Sequence, residues 1–280
     1  MHATATYALL LACASVGCSS DLGEFDSADL RPRERVHVPW APGQSAAGAA
    51  GEGAAAAGAV AGTTSGGSAA MPEECTAGRF VLLSELSNAR DVGGTPLSPD
   101  GSVACGAVYR GPPLTLTTNG CTDAAQLGLR TVIDLRTESE RLGNPDATCL
   151  TANLVFAPLP IPYGLGPTDY LNDLHETASM AAVFHAFGDP AAYPIYFHCT
   201  FGRDRTGIVG ALLLLALGAS RAAVMQEYML SQPNVGAYPD SLNAVLDEVE
   251  QRGGAEAVLK SLGITDQELA VMRSNAVAFE

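Results

Sequence analysis

The alternation of apolar and polar segments along the chain predicts a fold of short strands and longer helices. Residues 193–197 are aromatic and β-branched and predict a buried strand, whereas the apolar run 208–219 predicts a buried helix. Further strands are predicted at 131–135 and near 154–158, after a helix that begins at about Thr122. Because strands and helices alternate, the sequence predicts an α/β domain with a mostly parallel central sheet flanked by helices.

The C-terminal part of the chain predicts extra helices, which are expected to pack over one side of the domain. They are expected at 221–231, 241–252 and 255–262. Thr265 and Glu268 have the spacing of a capping box, which predicts the start of a last helix. The apolar run 208–219 is too short to span a membrane and suits a core helix.

One polar segment, between the strand at 193–197 and the helix at 208–219, carries the candidate chemistry. It reads His-Cys-Thr-Phe-Gly-Arg-Asp-Arg-Thr-Gly, from His198 onward. A strand, a tight loop and a helix N-terminus form an anion site, because the loop amides and the helix dipole converge on one point. Cys199 lies at the floor of that site, where the amides stabilise a thiolate that can attack phosphorus. The segment therefore predicts a phosphatase with a phosphocysteine intermediate.

The other residue types of the segment have predicted roles as well. Arg205 can hold two phosphate oxygens with its planar guanidinium, and Gly202 lets the loop approach the ligand closely. Thr206 is expected to hydrogen-bond the thiolate, and His198 to orient the loop without donating the proton. The residues expected to surround the phosphate are Thr200, Phe201, Gly202, Arg203, Arg205 and Thr206. The alternative is a buried cysteine beside an incidental arginine.

This loop resembles the phosphate-binding loop of cysteine-dependent protein tyrosine phosphatases. Three further segments are similar to a bacterial branch of secreted tyrosine and lipid phosphatases, typified by the mycobacterial PtpB. They are Asn-Ala-Arg-Asp-Val-Gly-Gly at 88–94, Val-Tyr-Arg-Gly at 108–111 and Gly-Leu-Arg-Thr-Val-Ile-Asp-Leu-Arg at 128–136. The resemblance, from roughly residue 79 onward, implies a phosphotyrosine phosphatase, with phosphoserine, phosphothreonine and phosphoinositides as further candidate substrates.

Two positions depart from the pattern of that branch. Arg203 stands where the branch usually has a lysine, which is associated with phosphoinositide substrates. The arginine keeps the positive charge but changes its shape. Ala89 stands where the branch commonly has an aromatic residue, a change that concerns packing more than chemistry.

The general acid is predicted from the resemblance. The only tryptophan, Trp40, is far from the domain, so the Trp-Pro-Asp acid loop of classical tyrosine phosphatases is absent. The branch instead points to Asp204 as the residue that protonates the leaving oxygen and activates water. The alternatives are that Asp204 braces the loop through Arg203 or Arg205, and that Asp134 is the acid, although pairing with Arg136 is its commoner role. Weaker candidates for the acid are Asp169, Asp173 and Asp189.

The first 74 residues are expected to act in targeting and to lie outside the folded domain. Residues 1–18 resemble a lipoprotein-type signal peptide that ends in Gly-Cys, so Cys18 is the expected lipid anchor, with Cys13 as the alternative site. Residues 19–74 are expected to form a disordered Ala/Gly-rich linker before a catalytic domain at 75–280. These features predict export, as a cell-envelope lipoprotein of the outer membrane or periplasm or as a secreted protein, with membrane contact through the lipid alone.

The remaining cysteines support an oxidising compartment. Cys75, Cys105, Cys121 and Cys149 are an even number suited to two disulfides. Three connectivities are open, of which Cys75–Cys105 with Cys121–Cys149 is the least entangled. Because no Cys-x2-Cys or His-x3-His spacing occurs, a structural zinc site is not expected. No catalytic metal and no other cofactor is predicted.

The charge balance restricts the partners. The net charge of −15 and the pI of about 4.6 argue against nucleic acid, since no basic patch would neutralise its phosphates. The sequence leaves two other functions open: a non-catalytic phosphate-binding protein, and a cysteine-dependent sulfurtransferase or arsenate reductase. The expected partner is a phosphoprotein or phosphoinositide substrate, and the sequence makes no prediction of an oligomeric state.

Overall fold

The computed structural model describes residues 86–115, 118–160 and 165–278. The predicted signal peptide, the lipid anchor Cys18 and the linker 19–74 lie outside the described residues, as does the start of the predicted catalytic domain. Export and lipid anchoring therefore stay predictions. Over the described ranges, no helix is both long enough and apolar enough to cross a membrane.

The strands form two sheets. In chain order they are β1 Arg90–Asp91, β2 Pro96–Leu97, β3 Gly101–Val103, β4 Val108–Gly111, β5 Thr131–Asp134, β6 Asn153–Phe156, β7 Ile195–His198 and β8 Val277–Ala278. The central sheet has the order β1-β4-β7-β5-β6, in which β1 is antiparallel to β4 and all other neighbours are parallel. A small antiparallel sheet has the order β2-β3-β8. The predicted, mostly parallel sheet is confirmed.

Helices flank the central sheet. Those of the described residues are α1 Thr118–Gln126, α2 Glu138–Gly143, α3 Pro167–Leu174, α4 Thr177–Phe187, α5 Asp204–Leu217, α6 Arg221–Met229, α7 Gln232–Val235, α8 Pro239–Gln251, α9 Ala255–Ser261 and α10 Asp266–Ala276, with a short 3-10 helix at Pro190–Ala192. The helix α5 contacts α3, α6, α8, α9 and α10 and is buried over almost its whole length. The extra C-terminal helices thus pack around α5, and the predicted α/β fold class is confirmed.

The central helix α5 begins at Asp204, not at residue 208 as the apolar pattern predicts. Its first turn consists of polar residues that are nevertheless buried, and a hydropathy pattern cannot distinguish such a turn from a loop. The helix ends at Leu217 because Gly218 adopts a left-handed conformation with φ of 104°. Arg205 therefore stands in the first turn of a helix, which fixes its backbone more firmly than a loop would.

The strand β7 lies in the middle of the sheet, between β4 and β5, and is buried along its whole length. The sequence predicts this strand two residues too early, at 193–197. In the ladder between β5 and β7, Asp134 is opposite His198. The carboxyl ends of both strands therefore meet beside the segment that starts at Cys199, the edge at which parallel sheets bind ligands.

Capping boxes mark the N-termini of two helices. The predicted capping box of Thr265 and Glu268 starts α10, as expected. A second capping box, formed by Thr137 and Glu140, starts α2, which the sequence analysis does not predict. The short helix α7 is likewise missed; with four residues it has too few positions to show a period.

One of the two disulfides of the least entangled connectivity lies within the described residues, and it is formed as predicted. Cys121 and Cys149 are bonded to each other, with their Cα atoms 6.0 Å apart. Cys105 is also disulfide-bonded, and Cys75, its predicted partner, lies outside the described residues. The bond between Cys121 and Cys149 joins the start of α1 to the segment that leads into β6.

Candidate active site

The phosphate loop, defined as residues 199–203, connects β7 to α5. At Gly202 the backbone adopts φ of 66°, and a Cβ there would lie 2.3 Å from the carbonyl carbon of Gly111. No side chain fits in that space, so the loop requires glycine both for its conformation and for its close packing. The predicted role of Gly202 in letting the backbone turn is consistent with this geometry.

Cys199 is the first residue of the phosphate loop. It follows β7 directly, is 1 % exposed and carries a free thiol. The N-terminus of α5 begins at Asp204, and the positive end of a helix dipole favours an anion nearby. The strand, loop and helix N-terminus thus follow one another in the order that the sequence predicts, with Cys199 between the strand and the helix.

The guanidinium of Arg205 is held by a carboxylate. Nη1 donates to Oε2 of Glu140 and Nη2 donates to Oε1, each over 2.7 Å. Nη2 also donates to the Thr200 hydroxyl, which in turn donates to Oε1 of Glu140. Burial raises the pKa of Glu140, but the hydrogen bonds from Arg205 and Thr200 outweigh burial and hold that pKa well below its usual range. Nε of Arg205 is buried without a hydrogen-bond partner among the described residues, so it is available to an anion.

Asp204 is the partner of Arg203. Nε and Nη2 of Arg203 donate to the two carboxylate oxygens of Asp204 over 2.7 and 3.0 Å, and Nη1 donates to the carbonyl oxygen of Val235. Tyr170 donates its hydroxyl to Oδ1 of Asp204 over 2.6 Å. Asp204 thus makes the bracing contact that the sequence analysis keeps as an alternative, and its role as general acid stays a prediction.

Two aromatic residues stand beside Arg203. The Arg203 guanidinium carbon lies 4.4 Å from the ring centroid of Tyr238 and 5.5 Å from that of Phe201, which are cation–π distances. Phe201 is 52 % exposed and Tyr238 is 37 % exposed. We call this pair the aromatic rim, since it is the exposed apolar surface that adjoins the phosphate loop.

The hydrogen bonds of the site decide which groups Thr200, Arg203 and Thr206 can present to a phosphate. The Thr200 hydroxyl binds Glu140 and the Arg203 guanidinium binds Asp204, so the backbone amides are what these two residues have available for a phosphate. Oγ1 of Thr206 is buried and has no hydrogen-bond partner in the described part of the chain. The predicted bond from Thr206 to Cys199 is therefore not formed here, and the Thr206 hydroxyl is available to the thiolate or a ligand.

Behind the loop, His198 lies between two carboxylates that share one arginine. Nε and Nη2 of Arg136 donate to the two oxygens of Asp134 over 2.9 and 2.8 Å, and Nη2 also donates to Asp146 over 2.8 Å. Nε2 of His198 lies 3.4 Å from Oδ2 of Asp146. Asp134 thus pairs with Arg136, the commoner role that the sequence analysis gives it, and its role as an alternative acid stays a prediction.

Among the residues that the structure describes, Asp134, Asp146 and His198 form a group that could hold a metal, since their ligand atoms lie within 4.8 Å of one another. Arg136 already donates to both carboxylates. Its guanidinium occupies the position of a cation and balances their charge. The donor set therefore fits an orienting network for His198 better than a metal site.

The back of the phosphate loop is braced by residues from two other segments. Nδ2 of Asn88 donates to the carbonyl oxygens of Phe201 and Gly202 over 2.9 and 3.2 Å, and Nη2 of Arg110 donates to the same Gly202 oxygen over 3.1 Å. With its carbonyl oxygens held on this side, the loop keeps its amide groups for the anion side. Arg110 is in turn paired with the buried Glu227, which also binds Arg90.

The comparison with known families decides the identity of this site. The profile of the tyrosine phosphatase family matches residues 81–278, a span that contains the phosphate loop and every charged contact described above. The chain belongs to the tyrosine phosphatase family. It is accordingly a phosphatase, and Cys199, Arg205 and the residues that brace the phosphate loop all lie within the matched span.

The relatives of this chain within the family have low sequence identity to it. A tyrosine-protein phosphatase of Nostoc commune is 26 % identical over 220 residues, which cover 61 % of this chain and 74 % of that protein. The triple specificity protein phosphatase PtpB of Mycobacterium tuberculosis is 31 % identical over 80 residues, 29 % of this chain and 28 % of PtpB. The solved core catalytic domain of the PP-IP phosphatase SIW14 from S. cerevisiae has 16 % identity and a TM-score of 0.39, over 55 % of this chain and 88 % of that one. The family is confirmed, whereas membership of the PtpB-like branch stays a prediction.

The sequence analysis does not predict several residues that bind side chains of the candidate site. Glu140, Asp146, Tyr170 and Glu227 all bind site residues through side chains distant in the sequence. The capping box of Thr137 and Glu140 is the one local signal that could have drawn attention to any of them. Asp169 and Asp189, which the sequence analysis weighs as acids, instead bind backbone amides at helix N-termini.

The buried pairs of Glu227 predict a large effect on stability. Burial raises the pKa of Glu227, but the charges of Arg110 and Arg90 outweigh burial and lower it. Glu227→Gln would leave two buried guanidinium groups facing a neutral amide. We expect the free energy of unfolding to fall by about 3–5 kcal/mol, measured by urea denaturation with circular dichroism.

The control for Glu227→Gln is the same substitution at an exposed pair. Glu138 binds Arg141 over 3.0 Å at the surface of α2. Glu138→Gln is expected to change the free energy of unfolding by less than about 1 kcal/mol, since exposed pairs are screened by water. Equal losses in the free energy of unfolding of the two variants would show that the buried pairs stabilise the fold no more than the exposed pair does.

Proposed function

We propose that this member of the tyrosine phosphatase family hydrolyses phosphotyrosine in proteins through a phosphocysteine on Cys199. The observation that carries the proposal is the guanidinium of Arg205. Glu140 holds its Nη1 and Nη2, while its Nε is buried without a hydrogen-bond partner in the described ranges, beside the N-terminus at which Cys199 lies. Such a donor is preorganised for an oxyanion before the substrate arrives.

The proposed reaction has two steps. The thiolate of Cys199 forms a bond to phosphorus while the bond from phosphorus to the leaving oxygen breaks, and that oxygen takes a proton from an acid. A water then attacks the phosphocysteine, gives up a proton to the same group and restores the thiolate. In both steps the loop amides and Nε of Arg205 stabilise charge on the phosphoryl oxygens.

The surroundings of the loop favour a substrate with one phosphate on an aromatic ring. The aromatic rim of Phe201 and Tyr238 offers exposed ring surface next to the loop. Arg203 is the cation between these rings, but its three nitrogens already bind Asp204 and Val235. A phosphoinositide would need a free cation for a second phosphate, and Arg203 is not one.

A comparison of substrates tests the proposal. The full chain is assayed against a phosphotyrosyl peptide, a phosphoseryl peptide and vesicles that contain a phosphoinositide, with released phosphate as the measurement. We expect kcat/KM to be highest for phosphotyrosine, by roughly tenfold or more. A higher value for the phosphoinositide would overturn the substrate preference, and no release from any of the three would overturn the proposed activity.

A further inference from the structure

In the proposed reaction the leaving oxygen takes a proton from an acid. Most carboxyl groups around the phosphate loop already accept hydrogen bonds from arginine. Asp134, Asp146, Glu140 and Asp204 all accept hydrogen bonds from arginine side chains. Both oxygens of Asp204 accept from Arg203, and one accepts from Tyr170 as well. A carboxyl that accepts from a guanidinium at both oxygens has no free oxygen on which to hold a proton. A carboxyl without such a partner is the better candidate for the proton donor.

Asp173 differs from all of these. It lies near the end of α3, is 0 % exposed, and neither of its oxygens has a hydrogen-bond partner in the described part of the chain. A carboxylate buried in this way is unfavourable, whereas the neutral acid is tolerated. Asp173 therefore has the environment of a carboxyl that keeps its proton.

The position of Asp173 relates it to the phosphate site. Its helix α3 packs against α5, the helix that carries Arg205, and the charges of Asp173 and Arg205 act on each other. Nε of Arg205 is likewise buried without a partner among the described residues. Two polar groups without partners, one an acid and one an anion-binding donor, thus occur on two helices in contact. Tyr170, three residues before Asp173 on α3, donates its hydroxyl to Asp204 over 2.6 Å, so the buried face of α3 lies against the first turn of α5.

The charges that face Asp173 are mostly negative. Burial is the largest cause that raises its pKa, Arg205 opposes it, and Glu176, Asp204 and Asp169 add to the increase, to about 8. At neutral pH the carboxyl is then largely protonated. This is close to the value that suits a general acid working near pH 7.

We propose that Asp173 is the general acid and base of the reaction. The neutral carboxyl donates its proton to the leaving oxygen while the sulfur of Cys199 bonds to phosphorus. In the second step the Asp173 carboxylate takes a proton from the attacking water, the bond between sulfur and phosphorus breaks, and the thiolate is restored. This proposal rests on the proposed phosphatase function and assigns the proton transfer to a residue outside the phosphate loop.

The test is Asp173→Asn, which keeps the shape of the side chain but holds no acidic proton. The variant and the parent are assayed with nitrophenyl phosphate, whose leaving group needs little protonation, and with phenyl phosphate, whose leaving group needs more. We expect kcat/KM for phenyl phosphate to fall by about 10²–10⁴-fold and kcat/KM for nitrophenyl phosphate to change by less than about tenfold. The parent should also lose activity on phenyl phosphate as pH rises through about 8, and the variant should lack this decline.

Two control variants separate the possible roles. Asp169→Asn removes a carboxylate from the first turn of the same helix, where it accepts from the amide of Gly166, and is expected to leave both substrates within about threefold of the parent. Asp204→Asn removes the partner of Arg203 and is expected to slow both substrates alike. If Asp204→Asn instead slows phenyl phosphate selectively, Asp204 is the acid and the proposal is overturned.

Other outcomes are equally decisive. Equal losses on both substrates with Asp173→Asn would make Asp173 a positioning residue for Arg205 and overturn its role as acid. If the variant does not fold, the parent alone is informative: its rates on a series of aryl phosphates should depend more steeply on the leaving group at pH 9 than at pH 6. An unchanged dependence would overturn the proposal. Hydrolysis of nitrophenyl phosphate by the parent shows in each case that the phosphatase function itself holds.

Discussion

Cys199→Ser is expected to abolish hydrolysis of every phosphate ester while inorganic phosphate still binds. The serine hydroxyl is a much weaker nucleophile than a thiolate, so turnover should fall by at least about 10³-fold. Binding should persist, because the loop amides and Arg205 supply most of the contacts to the phosphate. The measurements are release of phosphate from a phosphotyrosyl peptide and titration calorimetry with inorganic phosphate.

The substitution Cys199→Ser is expected to disturb the fold little, although the side chain is buried. The side chain is 1 % exposed, and the hydroxyl is smaller than the thiol, so the fold should be kept. The melting temperature of the variant is the control for folding. Turnover at a rate close to that of the parent would rule out the phosphocysteine, and loss of phosphate binding together with turnover would point to a damaged loop.

Arg205→Lys is expected to lower kcat/KM by about 10²–10³-fold although the charge is conserved, as for the loss of one preorganised donor to a developing oxyanion. An ammonium is a point charge, and it cannot bind both oxygens of Glu140 while presenting a further donor to the phosphate. The loss should appear mainly in kcat, because the donor matters most when charge develops in the transition state.

Arg203→Lys is the matched control, because it makes the same substitution two residues away. The lysine keeps an ion pair with Asp204 but loses the second bond to it and the contact with Val235. We expect its kcat/KM to remain within about tenfold of the parent, since the Arg203 side chain binds Asp204 and Val235 and leaves only its backbone amide for a phosphate. Similar losses in the two lysine variants would mean that Arg205 has no special role.

The arginine and carboxylate pairs of the site have different proposed roles, some in binding the anion and others in supporting the loop. Arg205 and Glu140 prepare the anion site, whereas Arg203 and Asp204 hold the start of α5. Arg136 with its two carboxylates surrounds His198, and Arg110 with Glu227 supports Gly202 from behind. Because each of these arginines already has its partner, the proposed binding of a phosphate would not require the site to reorganise its charges.

The core of the fold could be predicted from the sequence because its signals are local. The aromatic and apolar run before Cys199 and the apolar run after Gly207 specify a strand and a helix, and the loop between them follows from their order. The alternation of such elements predicts the parallel sheet. Even so, the first turn of α5 is missed, because buried polar residues look like a loop to a pattern that records only hydropathy.

The sequence by itself determined which residues are proposed to attack and bind a phosphate, because Cys199 and Arg205 lie within one short segment. Only the tertiary structure decided which distant carboxylates pair with Arg205 and Arg110. Arg205 meets Glu140 across 65 residues and Arg110 meets Glu227 across 117, separations over which no local pattern acts. The same packing gave Asp204 a partner and left Asp173 with none in the described ranges. The protonation of a carboxyl depends on burial and neighbouring charges, and these exist only once the chain has folded.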